Sequence, residues 1–228
     1  MTFEIKDPIP ALNFTRLLAK RAHTTRIILH HYHHETATPQ DIHRWHLGRD
    51  SGNWGGVGYH FMVDMDGTVW HGRDINAVGV HTLGNNGDSI GIAFQGRYND
   101  HTQSMPDIQF NAGVWLINHL FETFGTLPIL GHREASPSAC PGKFFPLGEI
   151  RTLNFRGENM IQRRFNTVAE LPDWAQAPIQ QLIDAGHLTG DGTVTPSGNI
   201  AGLDLTMDMV RTLIINKRQI DKLRSIAI

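Results

Sequence analysis

Short apolar runs alternate with polar stretches over the first 150 residues, and their periodicities predict strands separated by helices. Strands with alternating or continuous apolar character are predicted at 26–31, 59–63, 68–71, 89–95 and 128–130. An Asp66-Gly67 turn joins the second and third of these into a hairpin. Helices are predicted at 39–47, after a capping Thr38, and at 107–124, where apolar residues recur on one face. Residues 10–23 are compatible with a short helix or an extended arm.

The order of these elements predicts an α/β fold over residues 1–150, with a mixed central β-sheet flanked by helices. Residues 151–167 are polar and basic without a clear period, which indicates a linker. Amphipathic helices are predicted at 171–185, ended by Gly186, and at 205–220. We therefore expect a small helical C-terminal domain over residues 168–228.

Composition narrows the classes of partner. The chain has 228 residues and a formal net charge of −2, so its charge does not favour nucleic acid as a partner. No apolar run approaches the ~20 residues of a membrane helix, and the N-terminus lacks the basic-then-apolar layout of a secretory signal. We expect no membrane insertion, and synthesis in the cytoplasm without a signal peptide.

Three residues that are distant in sequence form a candidate zinc site. His30 ends an apolar strand, and His132 and Cys140 lie eight residues apart in GHREASPSACPG. Zinc accepts nitrogen and sulfur donors, and three protein ligands leave a fourth position open for water, as in hydrolytic sites. His31 is the alternative first ligand, because consecutive strand residues point to opposite faces. The alternative role of Cys140 is that of a small buried hydrophobic residue.

Two stretches of the chain resemble a known family. The segment GVGYHFMVDMDGTVWHGRDINAVGVHTLGNNGDSIGIAFQG and the later GHREASPSACPG are similar to the zinc amidases of the N-acetylmuramoyl-L-alanine amidase type 2 family. The similarity covers about residues 25–147. That family includes phage lysozyme amidases and animal peptidoglycan recognition proteins. The resemblance implies Zn²⁺ as the cofactor, bacterial peptidoglycan as the partner, and hydrolysis of the amide between N-acetylmuramic acid and L-alanine.

The resemblance also implies roles for individual residues. The zinc ligands would be His30, His132 and Cys140. Tyr59 matches the family's tyrosine beside the metal, where a phenol can donate to a developing oxyanion without adding charge. Ser138 stands where many phage members have a lysine, which implies an assisting hydroxyl. Ala93 stands where some bacterial members have a glutamate that serves as general base.

Further positions are expected at or near the substrate groove. His81 corresponds to a histidine near the family's groove, so we expect it either to contact substrate or to hold its own loop. Trp54 is expected to stack on glycan, whereas Trp45 and Trp70 are expected in the core. Glu134 is expected either to orient a ligating histidine or to form a surface ion pair.

The leading hypothesis is a peptidoglycan hydrolase, either a phage or prophage endolysin or a related bacterial autolysin. The missing secretory signal favours the endolysin. The alternative is a non-catalytic peptidoglycan-binding module, against which the retained Cys140 argues. Residues 171–196 weakly resemble one unit of the S-layer homology modules that attach proteins to cell walls. The C-terminal domain is therefore expected to bind the wall, to form homo-oligomers, or only to stabilise the chain.

Overall fold

The computed structural model describes residues 3–49, 53–100, 104–156, 164–171, 173–189, 202–206, 209–210, 212–214 and 217. Contacts divide the chain into two compact units. The first unit consists of Phe3–Ile117 and Leu127–Leu153, and the second of Asn118–Thr126 and the described part of Asn154–Ile228. Within the described ranges, no helix combines the length and the apolarity that a membrane-crossing segment requires.

The first unit is built on a six-stranded mixed sheet with the order β1-β4-β3-β5-β2-β6. The strands are β1 (Ile5–Lys6), β2 (Arg26–His31), β3 (Phe61–Val63), β4 (Val69–His71), β5 (Ser89–Phe94) and β6 (Ile129–Gly131). β3 and β4 form the predicted antiparallel hairpin, while β5 runs parallel to both β2 and β3. Every residue of β5 is buried, as its continuous apolar run predicts. The predicted α/β fold with a mixed sheet is confirmed.

The register of the sheet explains why distant residues meet. β2 and β6 are parallel and place Leu29 beside Gly131. His30 and His132 are the residues that follow these two, so both leave the same edge of the sheet side by side. On its other side β2 pairs with β5, which places Ala93 beside His30.

The helices of the first unit agree with the predicted periodicity. α1 (Pro39–Leu47) begins where the Thr38 hydroxyl accepts a hydrogen bond from the Asp41 N–H, and the Asp41 carboxylate accepts the Thr38 N–H in return. α2 spans Asp107–Phe124, and its residues from Asn118 onward are grouped with the second unit. The short helices α3 (His132–Ala135) and α4 (Leu147–Ile150) were not predicted, because four residues are too few to show a period. Gly113 in α2 allows close packing on β5, since a Cβ there would lie 2.5 Å from the Phe94 ring.

The N-terminal segment is an extended arm, and the helix considered for residues 10–23 is absent from it. The arm is tied to the loops of the first unit by backbone hydrogen bonds from Thr15 to Gly55 and from Val78 to Ala19. Arg21 anchors its end by donating to the carbonyls of Ile75 and Ala77. A chain held by such distant partners leaves no periodic signal in its own sequence.

In the second unit, β7 (Arg164–Phe165) pairs antiparallel with β8 (Leu205–Thr206). A 3₁₀ turn at Val168–Glu170 precedes α5 (Asp173–Asp184), the predicted amphipathic helix. The helix predicted at 205–220 is wrong at its start, because the pairing with β7 extends the chain there; residues 209–210, 212–214 and 217 are helical. Arg164–Phe165 falls within the predicted linker, while 157–163 and the turns predicted at 191–199 lie outside the described residues.

Candidate metal centre and active site

His30, His132 and Cys140 come together at the carboxyl edge of β2 and β6. One ligand atom from each of the three side chains lies within 4.8 Å of the other two. The Nδ1 atom of His30 is 3.7 Å from the Cys140 Sγ, and the His30 and His132 ring centroids are 4.7 Å apart. Among the described residues, this is the group of His, Cys, Asp and Glu side chains that could hold a metal ion.

The loop after α3 delivers the cysteine to this cluster. The backbone N–H of Arg133 donates to the Cys140 carbonyl at 2.8 Å, which fixes the loop against the start of α3. The Cys140 N–H donates to the Ser138 hydroxyl at 3.1 Å. The Cys140 sulfur in turn accepts a hydrogen bond from the backbone of His31, the residue after the first ligand.

The cluster has the protonation chemistry of a cation site. Burial, together with the neighbouring His81 and His132, holds the pKa of His30 well below its usual value, and burial also lowers the pKa of His132. Both imidazoles are therefore neutral donors at pH 7. Burial raises the pKa of the Cys140 thiol to about 12, so a positive charge is needed nearby for this sulfur to ionise. Two neutral imidazoles and a buried thiol fit a divalent cation with nitrogen and sulfur preference.

A cavity of about 410 Å³ opens onto His132 and Cys140 and also contains both residues predicted to be catalytic, Tyr59 and Ser138. The Tyr59 ring lies 5.1 Å from the His30 ring. Within the described part of the chain, the Tyr59 hydroxyl has no hydrogen-bonded protein partner, so its proton is available to the cavity. The Ser138 hydroxyl, which accepts the Cys140 N–H, is 3.5 Å from the His132 Nδ1.

Two residues predicted to bind substrate lie elsewhere. His81 is 7% exposed and stands behind the cluster, with its Nδ1 atom 3.0 Å from the Nε2 of His30. Trp54 is not among the residues lining the described cavity; its ring packs 4.9 Å from that of His46. His31, the alternative first ligand, has another hydrogen-bond partner: its Nδ1 accepts the backbone N–H of Tyr98.

Trp45 was expected in the core, yet it is 43% exposed and lines the cavity. His46, Arg49 and Asn99 also line it and were missed in the sequence. A signal for some of them was present. Trp45, His46 and Arg49 follow Ile42 at steps of three, four and seven residues, so they share one face of α1 and the turn beyond it.

Two roles were predicted for Glu134, and the structure shows the second of them, a surface ion pair. Its carboxylate accepts the Gly131 N–H at 2.8 Å and the Arg151 guanidinium. These two hydrogen bonds oppose the effect of desolvation and lower the pKa of Glu134. The hydrogen bonds hold the start of α3, one residue before the candidate ligand His132.

The chain is similar in sequence to a known family and to individual members of it. A family model described as N-acetylmuramoyl-L-alanine amidase matches residues 20–143. The chain is 36% identical over 121 residues to the endolysin of Enterobacteria phage K11, a match that covers 50% of this chain and 78% of that protein. It is 34% identical over 116 residues to peptidoglycan-recognition protein SC2 of Drosophila melanogaster, covering 50% of this chain and 60% of that one. The chain therefore spans less than two thirds of the recognition protein's length.

A solved structure shows the same fold. N-acetylmuramoyl-L-alanine amidase LysC from Clostridium intestinale superposes with a TM-score of 0.61 and 30% sequence identity. The superposition covers 66% of this chain and 97% of that one.

Proposed function

Since the chain belongs to the N-acetylmuramoyl-L-alanine amidase family, we propose that it hydrolyses the amide between the lactyl group of N-acetylmuramic acid and the L-alanine of the peptidoglycan stem peptide. One observation carries this proposal. His30, His132 and Cys140 cluster within 4.8 Å beside a cavity that also exposes Tyr59 and Ser138. A donor set next to an accessible cavity is the arrangement of a catalytic rather than a purely structural metal site.

We propose Zn²⁺ as the metal held by His30, His132 and Cys140. The neutral imidazoles and the sulfur match the donors that zinc prefers. When bound there, zinc supplies Lewis-acid polarisation of the scissile carbonyl and activation of water.

Tyr59 and Ser138 are the residues proposed to stabilise the transition state. Burial raises the pKa of Tyr59 far above its usual value, so the phenol keeps its proton and acts as a hydrogen-bond donor. The Ser138 oxygen accepts the Cys140 N–H and lies 3.5 Å from the His132 Nδ1, and its proton is the one proposed to be donated to an oxyanion. The lining of the described cavity contains no Asp, Glu or Lys but includes Arg49; Tyr59 and Ser138 are proposed as neutral donors in place of the lysine or glutamate of other members.

The similarity to the K11 endolysin supports a role as a phage or prophage endolysin that acts on the bacterial cell wall after synthesis in the host cytoplasm. The similarity to recognition proteins, together with Ala93 at the position beside His30, favours a second candidate, a non-catalytic peptidoglycan-binding module. Cys140 favours the enzyme, because binding alone does not require a thiol at this position.

The experiment is digestion of purified peptidoglycan by the zinc-loaded protein, followed by mass spectrometry, with Cys140→Ala as the control variant. The amidase releases stem peptides that start with free L-alanine, and the control does not. Intact glycan strands that nevertheless pull down the wild-type protein would establish the binding module instead. Zinc content is measured on both proteins, so that loss of metal and loss of chemistry are read separately.

We also propose that residues 1–150 form the catalytic domain, 151–167 a linker, and 168–228 a domain for wall binding or self-association. The grouping of Leu127–Leu153 with the first unit and of Asn154–Ile228 with the second supports a boundary near residue 153, while Asn118–Thr126 is grouped with the second unit. Deletion of 168–228 is the test: it should leave cleavage of soluble fragments unchanged and reduce sedimentation with whole cell walls.

A further inference from the structure

His81 lies next to the proposed metal ligand His30 and does not line the cavity described above. The two rings are almost perpendicular, with centroids 5.0 Å apart, and both are buried. The Nε2 of His30 is 3.0 Å from the Nδ1 of His81 and 3.4 Å from the Thr82 hydroxyl. The other nitrogen of His30 faces the Cys140 sulfur.

The position of the proton on His81 follows from the partners of its second nitrogen. The Nε2 of His81 is 3.4 Å from the Ser89 hydroxyl oxygen, and the His81 ring is also hydrogen-bonded to the Ser89 backbone. The Ser89 hydroxyl proton is committed to the Asn85 carbonyl at 2.5 Å, so its oxygen faces His81 as an acceptor. The Ser89 oxygen therefore requires the Nε2 of His81 to carry the proton.

The proton on His81 determines the tautomer of the proposed ligand His30. Because Nε2 of His81 is protonated, its Nδ1 presents a lone pair both to the Thr82 hydroxyl, 3.1 Å away, and to the Nε2 of His30, 3.0 Å away. Two lone pairs would repel each other at that distance, so the Nε2 of His30 is the protonated nitrogen of that ring. The Nδ1 of His30 is left with its lone pair directed toward the cluster. We infer that His81 is a positioning residue, which fixes the tautomer and orientation of His30 for metal binding rather than contacting substrate.

The surroundings of His81 are built to hold its ring in one place. A Cβ at Gly91 would lie 2.6 Å from the His81 ring, and one at Gly79 would lie 2.4 Å from it. The His81 ring thus occupies a space that exists only because residues 79 and 91 are glycines. His60 closes a further side, with its ring centroid 5.6 Å from that of His81.

This inference rests on the proposed metal centre, and its first test is made on the unsubstituted protein. The full chain, labelled with ¹⁵N-histidine and loaded with zinc, is examined by long-range ¹H–¹⁵N correlation, and the His81 signals are identified by their loss in His81→Asn. We expect His81 to carry its proton on Nε2 and to have an unprotonated Nδ1. A proton on Nδ1 would overturn the inference.

The second test compares two variants of nearly equal shape. The side-chain amide oxygen introduced by His81→Asn can replace Nδ1 as acceptor, whereas His81→Leu offers none. Zinc affinity is measured by competition with a chromophoric chelator, on proteins whose apo-state circular dichroism matches the wild type. We expect His81→Leu to bind zinc about 10–100-fold more weakly and His81→Asn to remain near the wild type.

Equal weakening in both variants, or wild-type affinity in His81→Leu, would contradict the positioning role. If His81→Leu does not fold, the tautomer measured in the unsubstituted protein decides the question. A wild-type protein that binds no zinc would instead refute the proposed metal centre, and with it the inference.

Discussion

The buried His60 makes the first unit sensitive to acid, and His60→Asn should remove part of that sensitivity. Its ring is fully buried, and its Nδ1 accepts the Gly91 N–H at 2.9 Å. Its Nε2 lies 3.0 Å from the Ala77 carbonyl and 2.9 Å from the Arg21 guanidinium. Protonation of Nδ1 would break the bond from Gly91 and place a second cation beside Arg21. Burial and, to a smaller extent, the charge of Arg21 lower the pKa of His60 from 6.5 to about 3.

The sign and size of the effect follow from these two pKa values. Between pH 6.5 and pH 3 the unfolded chain binds a proton at His60 that the folded chain does not, so stability is lost as the pH falls. Each pKa unit corresponds to ~1.4 kcal/mol, so His60 alone should lower the free energy of unfolding by about 2 kcal/mol between pH 7 and pH 5. The side-chain amide oxygen introduced by His60→Asn can still accept the Gly91 N–H, but the amide does not titrate.

The assay is urea unfolding at pH 7, 6 and 5, followed by tryptophan fluorescence. Four of the five tryptophans belong to the first unit, so the signal reports mainly on it. We expect His60→Asn to be less stable than the wild type at pH 7 and to lose about 2 kcal/mol less on acidification. The exposed His23→Asn is the matched control, because water reaches that ring in the folded chain as well. Parallel pH dependences for wild type and His60→Asn would refute the reasoning.

Three further predictions concern the site. Tyr59→Phe should lower kcat by about 10²–10³-fold and leave the zinc content unchanged, because it removes a donor and no ligand; unchanged kcat would exclude the role. Cys140→Ser should lose zinc on dialysis against a weak chelator that the wild type withstands, as measured by elemental analysis. Gly91→Ala should destabilise the fold by about 1–3 kcal/mol in urea unfolding, because its Cβ would lie 2.6 Å from the His81 ring. Gly148→Ala, whose Cβ meets nothing within 4 Å, is the matched control and should be close to neutral.

The sequence predicts the sheet and the meeting of His30, His132 and Cys140, because both depend on local signals. The buried run of β2 and the Asp66-Gly67 turn are visible within a few residues. Parallel pairing then brings His30 beside the residue that follows Gly131, a consequence of strand ends meeting at one edge. The meeting of two side chains at neighbouring strand ends can thus be predicted without knowledge of the remaining chain.

The position of His81 could not be predicted in this way. It lies in the loop between β4 and β5, and its ring reaches His30 only because Gly79 and Gly91 leave room for it. A histidine in a Gly-rich loop has the same local signature whether it faces substrate or the back of a ligand. The exposure of Trp45 was missed for a related reason, since an apolar residue on an amphipathic helix has the same spacing whether it lines a cavity or a core.

Burial connects the chemistry of the cluster with the stability of the fold. Desolvation lowers the pKa of His30 and His132 enough to keep both rings neutral, the form in which an imidazole binds a metal. The same desolvation raises the pKa of Cys140, so the thiolate is stable only beside a cation. Neutral buried histidines such as His60 also lower the stability of the fold in acid, because they bind a proton only when the chain unfolds. A protein whose proposed metal ligands are buried histidines is therefore expected to unfold in acid, and a metal bound there should oppose that unfolding by stabilising the neutral rings.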